Sequence, residues 1–165
     1  MSLASDLLEQ AEFLARREKR RPRQASLRRA VSTAYYALFH LLVADAASRL
    51  VKDQHLQRLV ARAFEHGEMR KAAIAFASSN LPPYLAAIAG GAVPQDLIDV
   101  ASAFVDLQEA RHEADYNLAS TFRRTRVQGH VDRVRKAFES WDRVKGQDIA
   151  KVFLAALLLA HRWKR

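Results

Sequence analysis

The residue of this 165-residue chain best placed to do chemistry is a guanidinium at the end of an apolar stripe. Leu97, Val100, Phe104 and Leu107 recur at spacings of three and four, and the next step of four lands on Arg111, which therefore projects from the core-facing side of its helix. A charge there needs partners or a ligand. Asp115, four residues on, offers an internal ion pair. Acid after base is the weaker i,i+4 orientation, which leaves Arg111 free to hold a phosphate instead.

A second set of polar residues lies upstream. Arg29, Thr33, Tyr36 and His40 follow one another at spacings of four, three and four, so they share one face of an otherwise apolar helix. Such a stripe must hydrogen-bond across the molecule or line a pocket. His66, before Gly67, and His112, beside Arg111, are further candidates for proton transfer or ligand contact.

Other chemistries lack their residues. With no Cys, zinc ribbons, redox thiols and cysteine nucleophiles are excluded. Gly90-Gly91 has no Lys-Ser/Thr after it and no strand before it, so it is no phosphate loop. No HExxH and no repeated Glu-x-x-His is present, and no metal or cofactor is expected. Glu113 and Asp115 lie close in sequence without forming an obvious acid/base pair.

The elements that must position these residues read as helices throughout, since strand-length alternation is absent. Ser5 caps a first helix running to about Arg20, before Pro22. A long second helix covers 24–51, apolar nearly all round between Ala30 and Ala44. A third stretch, 55–78, has Gly67 as its break, and Pro82-Pro83, Gly90-Gly91 and Pro94 mark a loop after it. The next helix starts around Pro94 and runs to about Glu113. A fifth starts at Ser120 or Thr121 and carries Val127, Val131, Val134, Phe138 and Trp141 on one face. The last, Asp148 to Trp163, looks apolar on all faces. The expectation is one all-α domain over 1–165: an antiparallel four-helix up-down bundle, its core at about 5–145, with an additional C-terminal helix.

Charge adds a partner class. The net charge is +9, and it is uneven. Residues 16–29 carry Arg16, Arg17, Lys19, Arg20, Arg21, Arg23, Arg28 and Arg29 against Glu18 alone, and a second basic block covers 123–145. Two basic blocks around a mildly acidic middle point to a polyanion, nucleic acid above all. No signal peptide is read at the N-terminus, and the longest apolar run, Ile149 to Ala160, is shorter than the roughly 20 residues that span a bilayer. The expected location is cytoplasmic, away from membranes.

Three strings, LRRAVSTAYYALFHLLV (27–43), RAFEHGEMRKA (62–72) and LQEARHEADYN (107–117), together resemble the HEPN superfamily of small helical bundles. The nearest form is that of small standalone members with an Arg…Asp-Tyr string, here Arg111 to Tyr116. Members of the superfamily occur in toxin–antitoxin and defence systems, and its ribonucleases carry an Arg and, after four to six intervening residues, a His. Arg111 and His112 match the Arg and the polar residue after it; positions 116, 117 and 118, where the His falls, are Tyr, Asn and Leu. The resemblance implies a homodimer with a composite cleft, RNA or a nucleotide as ligand, and a small antitoxin or nucleotidyltransferase-like partner.

Metal-free RNA cleavage needs a base, an acid and a cation on the phosphate. Arg111 supplies the cation, and His40 or Tyr116 would have to move the protons. Binding asks less: Arg111 on a phosphate, Tyr36 or Tyr116 under a base, with Arg29, His66, His112 and Asp115 around the ligand. Binding is the preferred reading. A metal-independent endoribonuclease toxin is the first alternative and a non-catalytic structural or interaction module the second.

Overall fold

The computed structural model describes residues 2–163, which form eight α-helices and a closing 3-10 turn, with no strand among them. The helices are α1 (Leu3–Arg16), α2 (Gln24–Leu50), α3 (Gln54–Arg62), α4 (His66–Ala77), α5 (Pro83–Ala89), α6 (Gln95–Tyr116), α7 (Arg124–Val144) and α8 (Asp148–Leu159), followed by the 3-10 turn Ala160–Arg162. The all-α expectation holds.

Helix α2 is the axis of the molecule. It packs on α1, α3, α6, α7 and α8, while α6 also meets α4 and α7, and α1 meets α7. Leu27, Val31, Tyr35, Leu38 and Leu42 of α2 have no exposed surface. By length and composition α2 could cross a bilayer, which the reading based on Ile149–Ala160 overlooked; 72% of its apolar window is buried inside the protein. The stripe Leu97, Val100, Phe104 and Leu107 of α6 is fully buried, as its spacing requires.

Several boundaries differ from the sequence reading. Ser2, not Ser5, caps α1, its hydroxyl accepting the N–H of Ser5 at 3.2 Å. This helix stops at Arg16 rather than Arg20. Glu18 then reaches forward, taking the Ser26 hydroxyl at 2.7 Å, and the carbonyls of Glu18 and Lys19 accept from Arg124. The stretch 55–78 breaks at 63–65, ahead of Gly67, because Phe64 turns into the core there. Within the expected loop, Pro83 opens the short α5 and Gly90 ends it at φ +68°, a left-handed conformation that glycine adopts without strain. Helix α7 starts at Arg124 because Phe122 is buried in an extended link whose N–H and C=O both bond to the Gln24 amide at 2.9 Å.

Helix α8 is covered by its own chain. Phe153 is fully buried against Phe76 of α4 (ring centroids 4.9 Å) and Trp141 of α7 (6.2 Å). Lys151 is exposed and bonds to Asp148 at 2.8 Å, so the helix has a polar side after all.

Candidate functional site

Arg111 sits where α6 leaves the core. Its side chain is 19% exposed, at the edge of the apolar interior rather than within it. Its Nη2 donates to the Tyr36 hydroxyl at 3.1 Å. Its Nε lies 2.7 Å from Asp115 Oδ2, but the N–H is not directed at the oxygen and makes no hydrogen bond, so the contact is charge against charge. The guanidinium carbon stands 5.5 Å from the centre of the Tyr36 ring and 5.7 Å from that of Tyr116, within cation–π range of both. Burial alone would lower its pKa, and the surrounding Tyr36, Asp115, Tyr116 and Tyr35 oxygens outweigh it, so the net shift is upward and the group stays charged.

Asp115 is tied down in turn. Its Oδ1 accepts from the hydroxyl of Ser32, a buried residue of α2, at 2.5 Å. Both features belong to one physical device: the C-terminal end of α6 is clamped to α2. Arg28 completes the clamp, donating to the carbonyls of Ala114 (2.8 Å), Asn117 (3.0 Å) and Ser120 (2.5 Å) and satisfying oxygens that the helix end leaves without partners.

A chain of rings runs inward from Tyr36. Tyr35, fully buried, meets Tyr36 edge-on at 5.4 Å and hydrogen-bonds His66 Nδ1 at 2.6 Å. Burial pushes the Tyr35 hydroxyl well above its usual range, so it keeps its proton beside the His66 ring. Burial lowers the His66 pKa, helped by Arg111 and then His40, so the ring is neutral near pH 7. His66 also rests on Phe39, ring centroids 4.4 Å apart.

Beside the guanidinium opens a cavity of about 300 Å³ lined by Arg70, Gln108, Glu109, Arg111 and His112. Arg70 comes from α4 and the others from one face of α6. Arg70 Nη2 is 3.9 Å from Glu109 Oε2, a loose pair between two well-exposed groups. Two guanidiniums from different helices over one cavity can hold a phosphate between them. The rings of His112 and Tyr116 meet at a tilt, centroids 4.9 Å apart, on the adjoining surface, and Tyr116 is 64% exposed. Among the described residues no group of three His, Asp or Glu could hold a metal ion.

Comparison of the chain with protein-family models, with curated proteins and with solved structures finds no match.

The structure brings together Arg111, Tyr36, Asp115, Tyr116, His66 and His112. It separates two others. Arg29 is exposed and its side chain makes no hydrogen bond or ion pair among the described residues; the inward position belongs to its neighbour Arg28. The reason is rotation of the helix by about 100° per residue, which turns one of two adjacent arginines in and the other out. His40 touches the ring cluster only at its margin, 6.3 Å from Tyr36, and lines a different cleft with Asp45 and Trp141. Burial lowers its pKa as well. Arg70, Gln108, Tyr35 and Ser32 escaped the sequence reading. Gln108 alone carried a signal, standing three and four residues before Arg111 and His112 on the same helix face.

Proposed function

We propose that this chain is a HEPN-like module that binds RNA or a nucleotide by a phosphate held between Arg70 and Arg111. The supporting observation is that pair of guanidiniums over one 300 Å³ cavity, flanked by the exposed Tyr116. In this reading α1, α2, α6 and α7 form the up-down bundle, and two copies pair so that their Arg111 ends face each other, as the resemblance implies. A small antitoxin or nucleotidyltransferase-like protein is the expected partner, and the cytoplasm the expected location.

Charge supports a strand rather than an isolated nucleotide. Arg16, Arg17, Lys19, Arg20, Arg21 and Arg23 are exposed, and none of their side chains lies within ion-pair distance of a carboxylate among the described residues. Most of the second basic block is neutralised: Arg126 by Glu113, Arg133 by Asp106, Arg135 by Glu12 and Arg143 by Asp96. Arg124 docks the free cations of the α1–α2 link against the start of α7, at the end of α2 whose Arg28 holds the end of α6.

Affinity for short RNA and for ribonucleotides across a salt series tests the proposal. Binding that weakens with salt and is lost in Arg70→Ala and Arg111→Ala supports it; absent binding, or binding indifferent to both changes, rejects it.

A second reading, metal-independent RNA cleavage, draws on His66, a neutral imidazole packed edge-on against Tyr36 at 5.9 Å within the shell of Arg111. Its signature is RNA cleavage in EDTA that His66→Ala abolishes while binding persists.

A further inference from the structure

Helix α1 carries an aromatic side chain that its own packing does not use. The helix meets the core through Ala4, Ala11 and Ala15, with Leu7, Leu8 and Leu14 packed beside them. Phe13 lies off that face and is 63% exposed, whereas every other phenylalanine is buried or partly buried. Its ring meets no other aromatic ring and no guanidinium among the described residues. Arg16 and Arg17 stand three and four residues on, so they share the exposed side of the helix with Phe13. The acids nearest to them in sequence are engaged elsewhere: Glu12 pairs with Arg135, and Glu18 takes the Ser26 hydroxyl at 2.7 Å. Lys19, Arg20, Arg21 and Arg23 follow in a link whose backbone Arg124 holds at the carbonyls of Glu18 and Lys19. An open aromatic face therefore borders a set of unpaired cations on an anchored stretch of chain.

We infer that Phe13 is a base-stacking platform for single-stranded RNA, one base lying on its ring while Arg16, Arg17 and the cations of the link hold the neighbouring phosphates. The inference rests on the RNA-binding reading above and narrows it to a single strand. A ring that protrudes from a helix can meet the face of a base only where that base is not already stacked between its neighbours, which excludes the interior of a duplex. Charge selects a strand over a protein surface. An apolar protein face laid on Phe13 would strip water from Arg16 and Arg17 without pairing them, whereas a strand covers the ring and pairs the cations together.

The test uses the full chain with a short single-stranded RNA of mixed sequence, the same RNA annealed to its complement, and long-chain polyphosphate, which offers the charge without bases. Phe13→Ala is expected to lower affinity for the single strand about tenfold and to leave duplex and polyphosphate affinity unchanged. Phe13→Trp keeps the single-strand affinity, and the fluorescence it adds is quenched by the single strand and not by polyphosphate. Unchanged single-strand affinity in Phe13→Ala overturns the inference while leaving the RNA reading in place. A drop in sedimentation mass alongside that unchanged affinity assigns the ring to a contact between copies of the chain instead. An equal loss with polyphosphate overturns the inference too, since the ring would then act without a base. Single-strand affinity that needs Phe13 but neither Arg70 nor Arg111 supports the inference and overturns the reading of the cavity. A parent protein with no affinity for single-stranded RNA overturns the RNA reading and the inference with it.

Discussion

The Nε of Arg111 lies 2.7 Å from Oδ2 of Asp115, one helical turn further along α6, yet its N–H is not aimed at that oxygen. The carboxylate is instead oriented by the Ser32 hydroxyl on its other oxygen. Asp115 thus neutralises the guanidinium without saturating its donors. Removing that charge frees Arg111 for an incoming anion. Asp115→Asn, which keeps an oxygen for Ser32, is expected to tighten phosphate binding about fivefold, the equivalent of about 1 kcal/mol for a partly exposed pair. A titration with pyrophosphate reads it, and weakened binding would show that Asp115 positions Arg111 rather than competing for it.

Arg28 and Arg29 are neighbours with opposite fates, which makes them a matched pair for a stability measurement. Arg28→Met removes the donors that hold three carbonyls at the end of α6 and should cost about 2 kcal/mol. Arg29→Met should change stability by less than about 0.5 kcal/mol. Urea denaturation of both variants compares them directly.

Burial of His66 beside Arg111 gives stability a pH dependence. His66 has a folded pKa below its ordinary value, so the unfolded chain binds the proton more readily. The neutral-state stabilisation is complete above about pH 6.5 and is lost as pH falls from there through the lowered folded pKa. His40 and His130 are shifted the same way by burial and steepen the loss. Melting temperatures between pH 8 and pH 5 should therefore decline, and His66→Asn, which offers Tyr35 a partner that does not titrate, should flatten the decline. An unchanged slope in that variant would remove His66 from the account.

For RNA binding, the free cations of the α1–α2 link should set the salt dependence. Replacing Arg17, Arg20 and Arg21 together by Gln lowers the slope of log affinity against log salt by about 2, at about 0.7 per phosphate contact on a single strand. Arg133→Gln and Arg143→Gln, which remove cations already paired with Asp106 and Asp96, should leave the slope unaltered.

Helix α8 contributes to the core of its own chain. Phe153→Ala opens a cavity between Phe76 and Trp141 and should cost about 3–5 kcal/mol. Sedimentation mass at concentrations where the variant stays folded should match that of the parent, since the surface Phe153 covers lies within one protomer.

Periodicity in the sequence was enough to assign every long helix and the buried face of α6, because a stripe such as Leu97, Val100, Phe104 and Leu107 reports directly on which side meets the core. Helix ends were less legible. The carbonyls of Glu18 and Lys19 bond to Arg124 just past the end of α1, and Phe122 bonds to Gln24 just before α7, contacts that no local propensity encodes.

What the sequence determined by itself is an all-helical chain, its uneven positive charge, the lack of thiol chemistry, and an Arg at the margin of a buried stripe. Tertiary structure alone decided that Arg28 and not Arg29 turns inward, that His66 bonds to Tyr35 while His40 meets the rings at their margin, and that Arg70 lines the same cavity as Arg111. The physical reason is the same in each case. A spacing of three or four names a face of one helix, whereas the azimuth of that helix and the identity of its neighbour follow from packing between segments tens of residues apart. Only when α2, α4 and α6 are docked does the half-buried Arg111 line one cavity together with a second arginine.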